Sequence, residues 1–148
     1  QADGLTLPRR KVDWVVGSAF GAVTLAFAIA LKLRARAGFT EKDDQNMTLA
    51  RFKIAPREKV LVVEDTISTG GSTLKTIEAL EKSGVPAKNI LPYILCLVNR
   101  SGLRRLNGYR LRALLTLDIH TWEPPDCPLC QKGSSVVRPK SHWHELTN

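Results

Sequence analysis

Two adjacent carboxylates, Glu64 and Asp65, stand directly before a loop rich in hydroxyl groups and glycine. Neighbouring acceptors suit the vicinal hydroxyls of a sugar, whereas a neutral loop of N–H and O–H donors suits a phosphate dianion. The loop contains Thr66, Ser68, Thr69, Gly70, Gly71 and Ser72. A helix predicted to begin near Ser72 would add the positive end of its dipole. The residue types and their order therefore predict a cradle for ribose and its phosphate.

A buried strand has to position these groups. Residues 60–63 are continuously apolar, a pattern typical of a central strand that is buried on both faces of a parallel sheet. Open α/β sheets bind ligands at the carboxyl ends of such strands. Two other interpretations stay open: the Gly-Gly pair could be an ordinary turn, and the acidic pair could be solvated. A Walker A loop is excluded because no Gly-Lys-Ser/Thr follows.

The whole stretch VLVVEDTISTGGST, residues 60–73, resembles the signature of the type I phosphoribosyltransferases and is nearest to their orotate branch. The resemblance implies an α/β fold whose central, mostly parallel sheet is flanked by helices. It implies that Glu64 and Asp65 bind the ribose hydroxyls of phosphoribosyl pyrophosphate and assist catalysis, while Thr66 and residues 68–72 surround the 5′-phosphate. It also implies Mg²⁺, held by Glu64 and Asp65 but largely through substrate, which would neutralise the leaving pyrophosphate.

A second strand–turn–helix unit lies upstream, with a strand predicted at residues 14–16, a turn, and a helix to about Arg36 that Gly38 would stop. By itself this unit is an ordinary connection of an α/β domain. The resemblance makes its turn the pyrophosphate loop, which binds largely through backbone groups. The residues concerned are Gly17, Ser18, Ala19, Phe20 and Gly21. The lysine that orotate enzymes commonly carry in this loop is absent, so other cations would have to assist.

Residues 39–45 are predicted to be an exposed, mobile connection to an edge strand at about residues 47–54. The family has a lysine-bearing loop in this interval that closes over the reaction. Lys42 is the best match to that lysine and would be a catalytic cation, and Arg51 would be a second cation for pyrophosphate. The family loop is longer, and the alternative is that Lys42 is only a solvated charge.

Further along the chain, a helix is predicted at residues 72–83 and a buried strand at residues 90–98. A short helix at residues 102–107 and a strand at about 109–117 would complete a sheet of at least four strands plus the edge strand. Arg100 directly follows the strand at 90–98, and its planar fork suits a carboxylate or carbonyl group. By resemblance Arg100 recognises the base, whereas the alternative is a surface arginine.

The segment from residue 120 to residue 148 changes character, because prolines interrupt it and it contains the CxxC pair Cys127 and Cys130. With His142 and His144 the pair could bind zinc, although the spacing departs from the usual ligand patterns. A redox pair would normally open a helix after a strand. The third interpretation is two reduced cysteines in a folded tail. We therefore predict a core at residues 1–119, without the N-terminal hood of orotate enzymes, and an irregular extension at 120–148.

Composition limits the class of protein. The chain has 148 residues and a formal net charge of +8, which fits one domain with dispersed basic residues. No uninterrupted membrane-spanning run and no signal peptide is visible, and the three cysteines fit a reducing compartment, so we predict a soluble, cytoplasmic protein. The absence of zinc-finger, RNP or aromatic-basic patterns makes a nucleic-acid module the weaker interpretation.

The predicted activity is transfer of ribose 5-phosphate from phosphoribosyl pyrophosphate to an orotate-like nucleobase, with release of pyrophosphate. The resemblance also implies a homodimer. One alternative is a non-catalytic protein of the same fold that senses phosphoribosyl pyrophosphate and regulates transcription. Another is transfer to a purine or to a different pyrimidine.

Overall fold

The computed structural model describes residues 11–120, 122–134, 137 and 142–147. Its strands are β1 (Trp14–Ser18), β2 (Arg36–Asp43), β3 (Asn46–Thr48), β4 (Val60–Ile67), β5 (Ile90–Asn99), β6 (Arg105–Leu106) and β7 (Tyr109–Thr116). Its α-helices are α1 (Val23–Leu33), α2 (Gly71–Lys82), α3 (Pro128–Gln131) and α4 (Trp143–Thr147). No helix in this described part of the chain has the length and apolar character needed to span a bilayer.

In the described residues, seven strands form one sheet in the order β3-β2-β1-β4-β5-β7-β6. The five inner strands are parallel, and the short strands β3 and β6 pair antiparallel at the two edges. The strand that was predicted to be central, β4, is indeed the fourth of seven. Because the inner strands are parallel, their carboxyl ends lie at one edge of the sheet, where open α/β sheets bind ligands.

The two faces of β4 explain its unbroken apolar run. Val60 and Val62 lie in a core cluster that includes the α2 residues Ile77 and Leu80. The alternate residues of the strand, Leu61 and Val63, lie in a second cluster beneath α1. Successive side chains of a strand point to opposite faces, so a strand covered by a helix on each side must be apolar at every position.

Helix α1 ends earlier than predicted. The predicted end near Arg36 is wrong, because Arg34 adopts the left-handed conformation with φ 54° and closes the helix. The N–H of Ala35 then donates to the carbonyl of Ala30 at 2.9 Å, which satisfies an otherwise orphan acceptor. Gly38 is not a helix stop but part of β2, where it packs close to the ring of Trp14.

The predicted connection at residues 39–45 is largely strand. It forms the second half of β2 and a tight turn in which Asp44 has φ 50°. The edge strand predicted at 47–54 is also wrong beyond Thr48, since within that segment only the residues of β3 pair with β2. The apolar alternation of that segment has another cause: Phe52 makes edge-on ring contacts with Trp14 and Phe39, at centroid distances of 5.9 and 5.1 Å.

The short helix predicted at 102–107 is a hairpin instead, because β6 turns into β7 at Asn107 and Gly108. Both residues have positive φ, 44° and 85°, as a tight turn that matches the twist of two strands requires. An Asn-Gly pair is a strong hairpin signal, so this turn could have been predicted.

Glu58 fastens the start of β1 to the segment that precedes β4. Its Oε2 accepts hydrogen bonds from Trp14 Nε1 at 2.9 Å and from the Ala55 N–H at 2.8 Å, and its Oε1 pairs with Arg36. These contacts, the hydrogen bond from Arg36 above all, lower the pKa of Glu58 to about 2.

We expect the substitution Glu58→Gln to flatten the acid dependence of stability. Since the folded pKa of Glu58 lies below its ordinary value of 4.5, its contribution to the free energy of unfolding is complete above that value and is lost as the pH falls toward 2. Urea unfolding at a series of pH values across this interval should show a steeper loss for the wild type than for the variant. The substitution Glu81→Gln, on the exposed surface of α2, is the control. Equal slopes for the wild type and Glu58→Gln would contradict the assignment.

Candidate functional site

The predicted ligand-binding residues come together at the carboxyl edge of the sheet. The segments after β1, β4 and β5 all end there, and β1 and β5 are the two neighbours of β4. The last residue of β1, Ser18, contacts the β4 carboxylate of Glu64, and the Arg100 N–H after β5 donates to the Ile67 carbonyl of β4 at 2.9 Å. Three separate stretches of sequence therefore form one continuous site.

Glu64 joins the end of β1 to the beginning of α2. The residue is only 3 % exposed. Ser18 Oγ donates to its Oε1 at 2.6 Å, and the hydroxyls of Ser72 and Thr73 donate to its Oε2 at 3.1 Å. Burial raises the pKa of Glu64, as does the neighbouring carboxyl group of Asp65, and the three hydroxyl donors oppose that shift. A carboxylate offers about four lone-pair positions, so these contacts leave Glu64 with little free capacity for a ligand.

Asp65 is the more accessible of the two carboxylates. It is half-buried, and its Oδ1 accepts a hydrogen bond from the N–H of Thr66 at 2.7 Å. Its carboxylate lies against Gly21, where an added Cβ would approach Asp65 Cγ to 2.7 Å. Because Gly21 has no side chain, the carboxylate of Asp65 can occupy this space. The loops after β1 and β4 are in contact at this point.

The loop after β4 presents exposed hydroxyl groups next to the start of α2. The N-cap of this helix is Gly70, in the left-handed conformation with φ 82°, so the N-cap residue has no side chain that could cap the helix. The Gly71 N–H makes a long hydrogen bond of 3.5 Å to the hydroxyl of Thr69. A Cβ at Gly70 would also collide with the buried side chain of Leu106. Four side chains around it are exposed: Thr66, Ser68, Thr69 and Ser72. A helix N-terminus with exposed hydroxyls is a favourable anion site.

The loop after β1 is a tight turn held from both sides. The Ala19 N–H donates to the Thr40 carbonyl of β2 at 2.8 Å, and the Ala22 N–H donates to the Ser18 carbonyl at 3.1 Å. A Cβ at Gly17 would lie 2.6 Å from the carbonyl oxygen of Ala22, so only glycine fits there. Within the described residues, the N–H groups of Phe20 and Gly21 have no hydrogen-bond acceptor. They are available to a ligand, as the backbone-binding prediction requires.

A cavity of about 460 Å³ lies beside the loop after β4. Its lining residues are Ser68, Thr69, Arg100, Ser101, Gly102, Asp118, Ile119 and His120. The structure thus places Arg100 next to the predicted phosphate loop. The Arg100 segment is ordered by buried Asn99, whose side chain donates to the Leu103 carbonyl at 2.8 Å and accepts from the Ser101 hydroxyl at 2.6 Å.

Five of the lining residues were missed from the sequence: Ser101 and Gly102, which directly follow Arg100, and three residues further along the chain. Asp118, Ile119 and His120 follow β7, which runs parallel to β5 and ends at the same edge of the sheet. The His120 ring also packs against Trp122 at a centroid distance of 4.0 Å. The usable signal was their place just beyond a predicted strand, but the neighbour relation of β5 and β7 is not encoded in any local pattern.

Lys42 and Arg51 do not line the cavity. Lys42 is exposed on β2, opposite Met47 of β3. Arg51 Nε donates to Glu41 at 2.7 Å, so its charge is already paired. The turn between the two strands is fastened to α2 by a hydrogen bond from Lys75 to the Gln45 carbonyl.

The proposed zinc ligands are not assembled either. Throughout the described residues, which include Cys127, Cys130, His142 and His144, no group of three or more His, Cys, Asp or Glu side chains could hold a metal ion. The two cysteines are half-buried free thiols. Cys96 is also a free thiol, buried in β5, and its pKa is raised to about 11 by burial and by the charge of Glu64.

Comparisons with known proteins point to one group of enzymes. An orotate phosphoribosyltransferase of Caldicellulosiruptor saccharolyticus is 45% identical over 133 residues, which cover 89% of this chain and 68% of the relative. The enzyme of the same name from Thermotoga maritima is 39% identical, with coverage of 91% and 71%. The chain thus spans about two thirds of the length of these relatives. No protein-family model matches the chain.

Solved structures agree with this result. A crystal structure of orotate phosphoribosyltransferase from Aeropyrum pernix superposes with a TM-score of 0.58 at 28% identity, covering 72% of this chain and 62% of that one. An adenine phosphoribosyltransferase from Thermoanaerobacter pseudethanolicus gives a TM-score of 0.61 at 18% identity, with coverage of 74% and 72%. At that identity the second similarity concerns the fold alone.

Proposed function

The chain belongs to the orotate phosphoribosyltransferase family, and we propose that it transfers the ribose 5-phosphate of phosphoribosyl pyrophosphate to an orotate-like base. The family and the type I phosphoribosyltransferase fold predicted from the sequence are both confirmed. The relatives named above are enzymes, so the regulatory alternative has no support among them. The observation that carries the proposal is the continuous site in which Asp65, the start of α2 and Arg100 share one edge of the sheet.

The loop after β4 would hold the ribose 5-phosphate. Its exposed hydroxyls and the first N–H groups of α2 are donors for the phosphate, and the left-handed Gly70 lets the backbone approach it closely. Asp65 would accept hydrogen bonds from the ribose hydroxyls, since its carboxylate is accessible. Glu64 would act mainly by position, because Ser18, Ser72 and Thr73 occupy most of its acceptor capacity.

The pyrophosphate would lie against the loop after β1, where the N–H groups of Phe20 and Gly21 have no acceptor among the described residues. We keep Lys42 and Arg51 as candidate cations for this group. Arg51 would first have to leave Glu41. The short distance between this loop and Asp65 brings the leaving group next to the ribose.

The proposed reaction is a displacement at C1′ of the ribose. A bond forms between the base nitrogen and C1′, while the bond between C1′ and the pyrophosphate oxygen breaks. Positive charge develops at the sugar ring, as in other glycosidic transfers. Asp65 and Glu64 are the carboxylates nearest to that charge, and stabilising it electrostatically is their proposed catalytic role. The loops contribute by fixing the two reacting groups in place.

The side chains at this site fit Mg²⁺ only if substrate oxygens supply most of the ligands. No group of three metal-binding side chains exists in the described residues, but hard oxygen donors are available from Asp65 and, to a lesser extent, from Glu64, which already accepts three hydrogen bonds. The ion would therefore be held mostly by substrate oxygens. When bound, it would neutralise the charge of the leaving pyrophosphate.

Arg100 is the candidate for base recognition, because it lines the cavity beside Ser68 and presents a planar fork of donors. His120 and Asp118 also line this cavity. A homodimer and a cytoplasmic location remain predictions that follow from the resemblance and from the cysteine content.

The proposal is tested by mixing the protein with phosphoribosyl pyrophosphate, Mg²⁺ and a panel of purine and pyrimidine bases, and following pyrophosphate release. We expect release with orotate and its close analogues and none when the metal is chelated. Calorimetric binding of phosphoribosyl pyrophosphate without release for any base would instead favour the regulatory alternative. Release with adenine alone would overturn the choice of acceptor.

We expect Gly21→Ala to lower kcat/KM by about a hundredfold, since a misplacement of about 1 Å at a reacting centre can have that effect. The new Cβ collides with the carboxylate of Asp65, the flexible end of a side chain, so Asp65 is displaced while the fold is kept. Steady-state kinetics and circular dichroism measure the two effects.

The double variant Gly21→Ala with Asp65→Asn isolates the cause of this loss. If the alanine acts through Asp65, the double variant should be no slower than Asp65→Asn alone. Losses that simply multiply would show that Gly21 acts independently of Asp65.

A further inference from the structure

The Cys127–Cys130 pair takes no part in the site described above, and the structure changes the interpretation of its chemistry. In the sequence, prolines surround the pair, which counts against a redox function because a redox CxxC pair normally lies at the start of a helix. In the structure the pair does open a helical turn: Cys127 precedes α3 directly, and Pro128 takes the first helical position, where proline is favoured.

The turn places the two thiols on one side. Residues three apart in a helical turn have Cβ atoms about 5–6 Å apart. A disulfide requires a Cβ–Cβ distance of about 4 Å, so a small adjustment of the turn would allow the two sulfurs to bond. The backbone of the turn is fixed by hydrogen bonds from the Gln131 N–H to the Cys127 carbonyl and from the Gly133 N–H to the Cys130 carbonyl, both at 3.0 Å.

The two sulfurs are chemically unequal. Backbone N–H groups of Cys130 and Leu129 donate to the Cys127 sulfur and lower its pKa. The neighbouring Cys127 sulfur raises the pKa of Cys130. Because the thiolate is the attacking species in thiol–disulfide exchange, Cys127 is the more reactive sulfur at neutral pH. Cys96 provides an internal contrast, since it is buried and its pKa is raised to about 11.

The geometry points to Cys127 and Cys130 as a dithiol that exchanges with low-molecular-weight disulfides, such as oxidised glutathione, and closes to an intramolecular disulfide. The Cys127 thiolate attacks one sulfur of the small disulfide, whose S–S bond breaks and releases one thiolate, which takes up a proton. The Cys130 thiol then loses its proton and attacks the Cys127 sulfur, which breaks the mixed disulfide and releases the second thiol. Two electrons pass from the protein pair to the small disulfide.

The test equilibrates the folded protein in mixtures of reduced and oxidised glutathione, followed by alkylation and peptide mapping by mass spectrometry. In oxidising mixtures we expect the peptide with Cys127 and Cys130 to lose two hydrogens, while Cys96 stays reduced. In the reduced protein, alkylation at neutral pH should be about tenfold faster at Cys127 than at Cys96. These measurements on the wild type do not depend on any variant folding.

Two variants separate the roles of the sulfurs. Cys130→Ser should retain one glutathione on Cys127 as a stable mixed disulfide, whereas Cys127→Ser should retain little. Cys96→Ser is the matched control and should leave oxidation of the pair unchanged. The inference is overturned if both thiols stay free across the series, if wild-type Cys127 keeps glutathione without ring closure, or if the purified protein carries stoichiometric zinc.

Discussion

Replacing Asp65 with asparagine should lower the turnover number by about a hundredfold or more, because the variant loses the accessible carboxylate beside the developing positive charge. The side chain keeps its size and its oxygen acceptor for the Thr66 N–H, so the fold should be retained. Pyrophosphate release under saturating substrates measures the loss, and thermal unfolding measures the stability.

Asp43→Asn is the matched control for this experiment, since it removes the same charge from an exposed residue of β2 that does not line the cavity. It should leave turnover within about twofold of the wild type, as surface substitutions away from such sites usually do. Near-normal turnover of Asp65→Asn would refute its proposed role. A large loss in both variants would mean that overall charge, and not the position of Asp65, governs the rate.

Arg100→Ala should raise the KM for the acceptor base by about ten- to a hundredfold, the range expected when a hydrogen bond to a charged group is lost. The KM for phosphoribosyl pyrophosphate should change little if Arg100 contacts the base, as proposed, and not the phosphates of the donor. Initial rates with each substrate varied in turn distinguish the two effects. Arg100→Lys should recover only part of the loss, since lysine keeps the charge but not the planar fork.

Arg104→Ala provides the control for Arg100, because Arg104 is an exposed arginine that does not line the cavity. Its kinetics should match the wild type. Equal acceptor KM values for Arg100→Ala and the wild type would remove Arg100 from base recognition. A rise of both KM values together would indicate that the loop ordered by Asn99 had been disturbed.

The predictions that succeeded rested on local chemistry. Continuous apolar residues at 60–63 indicate a strand that is buried on both faces, and β4 is central for that reason. The failures occurred where a local pattern had a non-local cause. The alternation around Phe52 resembles an edge strand, but it arises from ring contacts with Trp14 and Phe39. Arg34 ends α1 through a left-handed conformation that no glycine marks in advance.

The family and the residue types of the loop after β4 could be read from the sequence, because the carboxylates, hydroxyls and glycines of this loop are consecutive. The roles of the two carboxylates could not. In the fold, Glu64 accepts hydrogen bonds from hydroxyls of two other segments, whereas Asp65 lies half-buried against Gly21. His120 and Arg100, which follow different strands, line the same cavity. Such contacts depend on which strands are neighbours, and strand order is set by the packing of the whole chain.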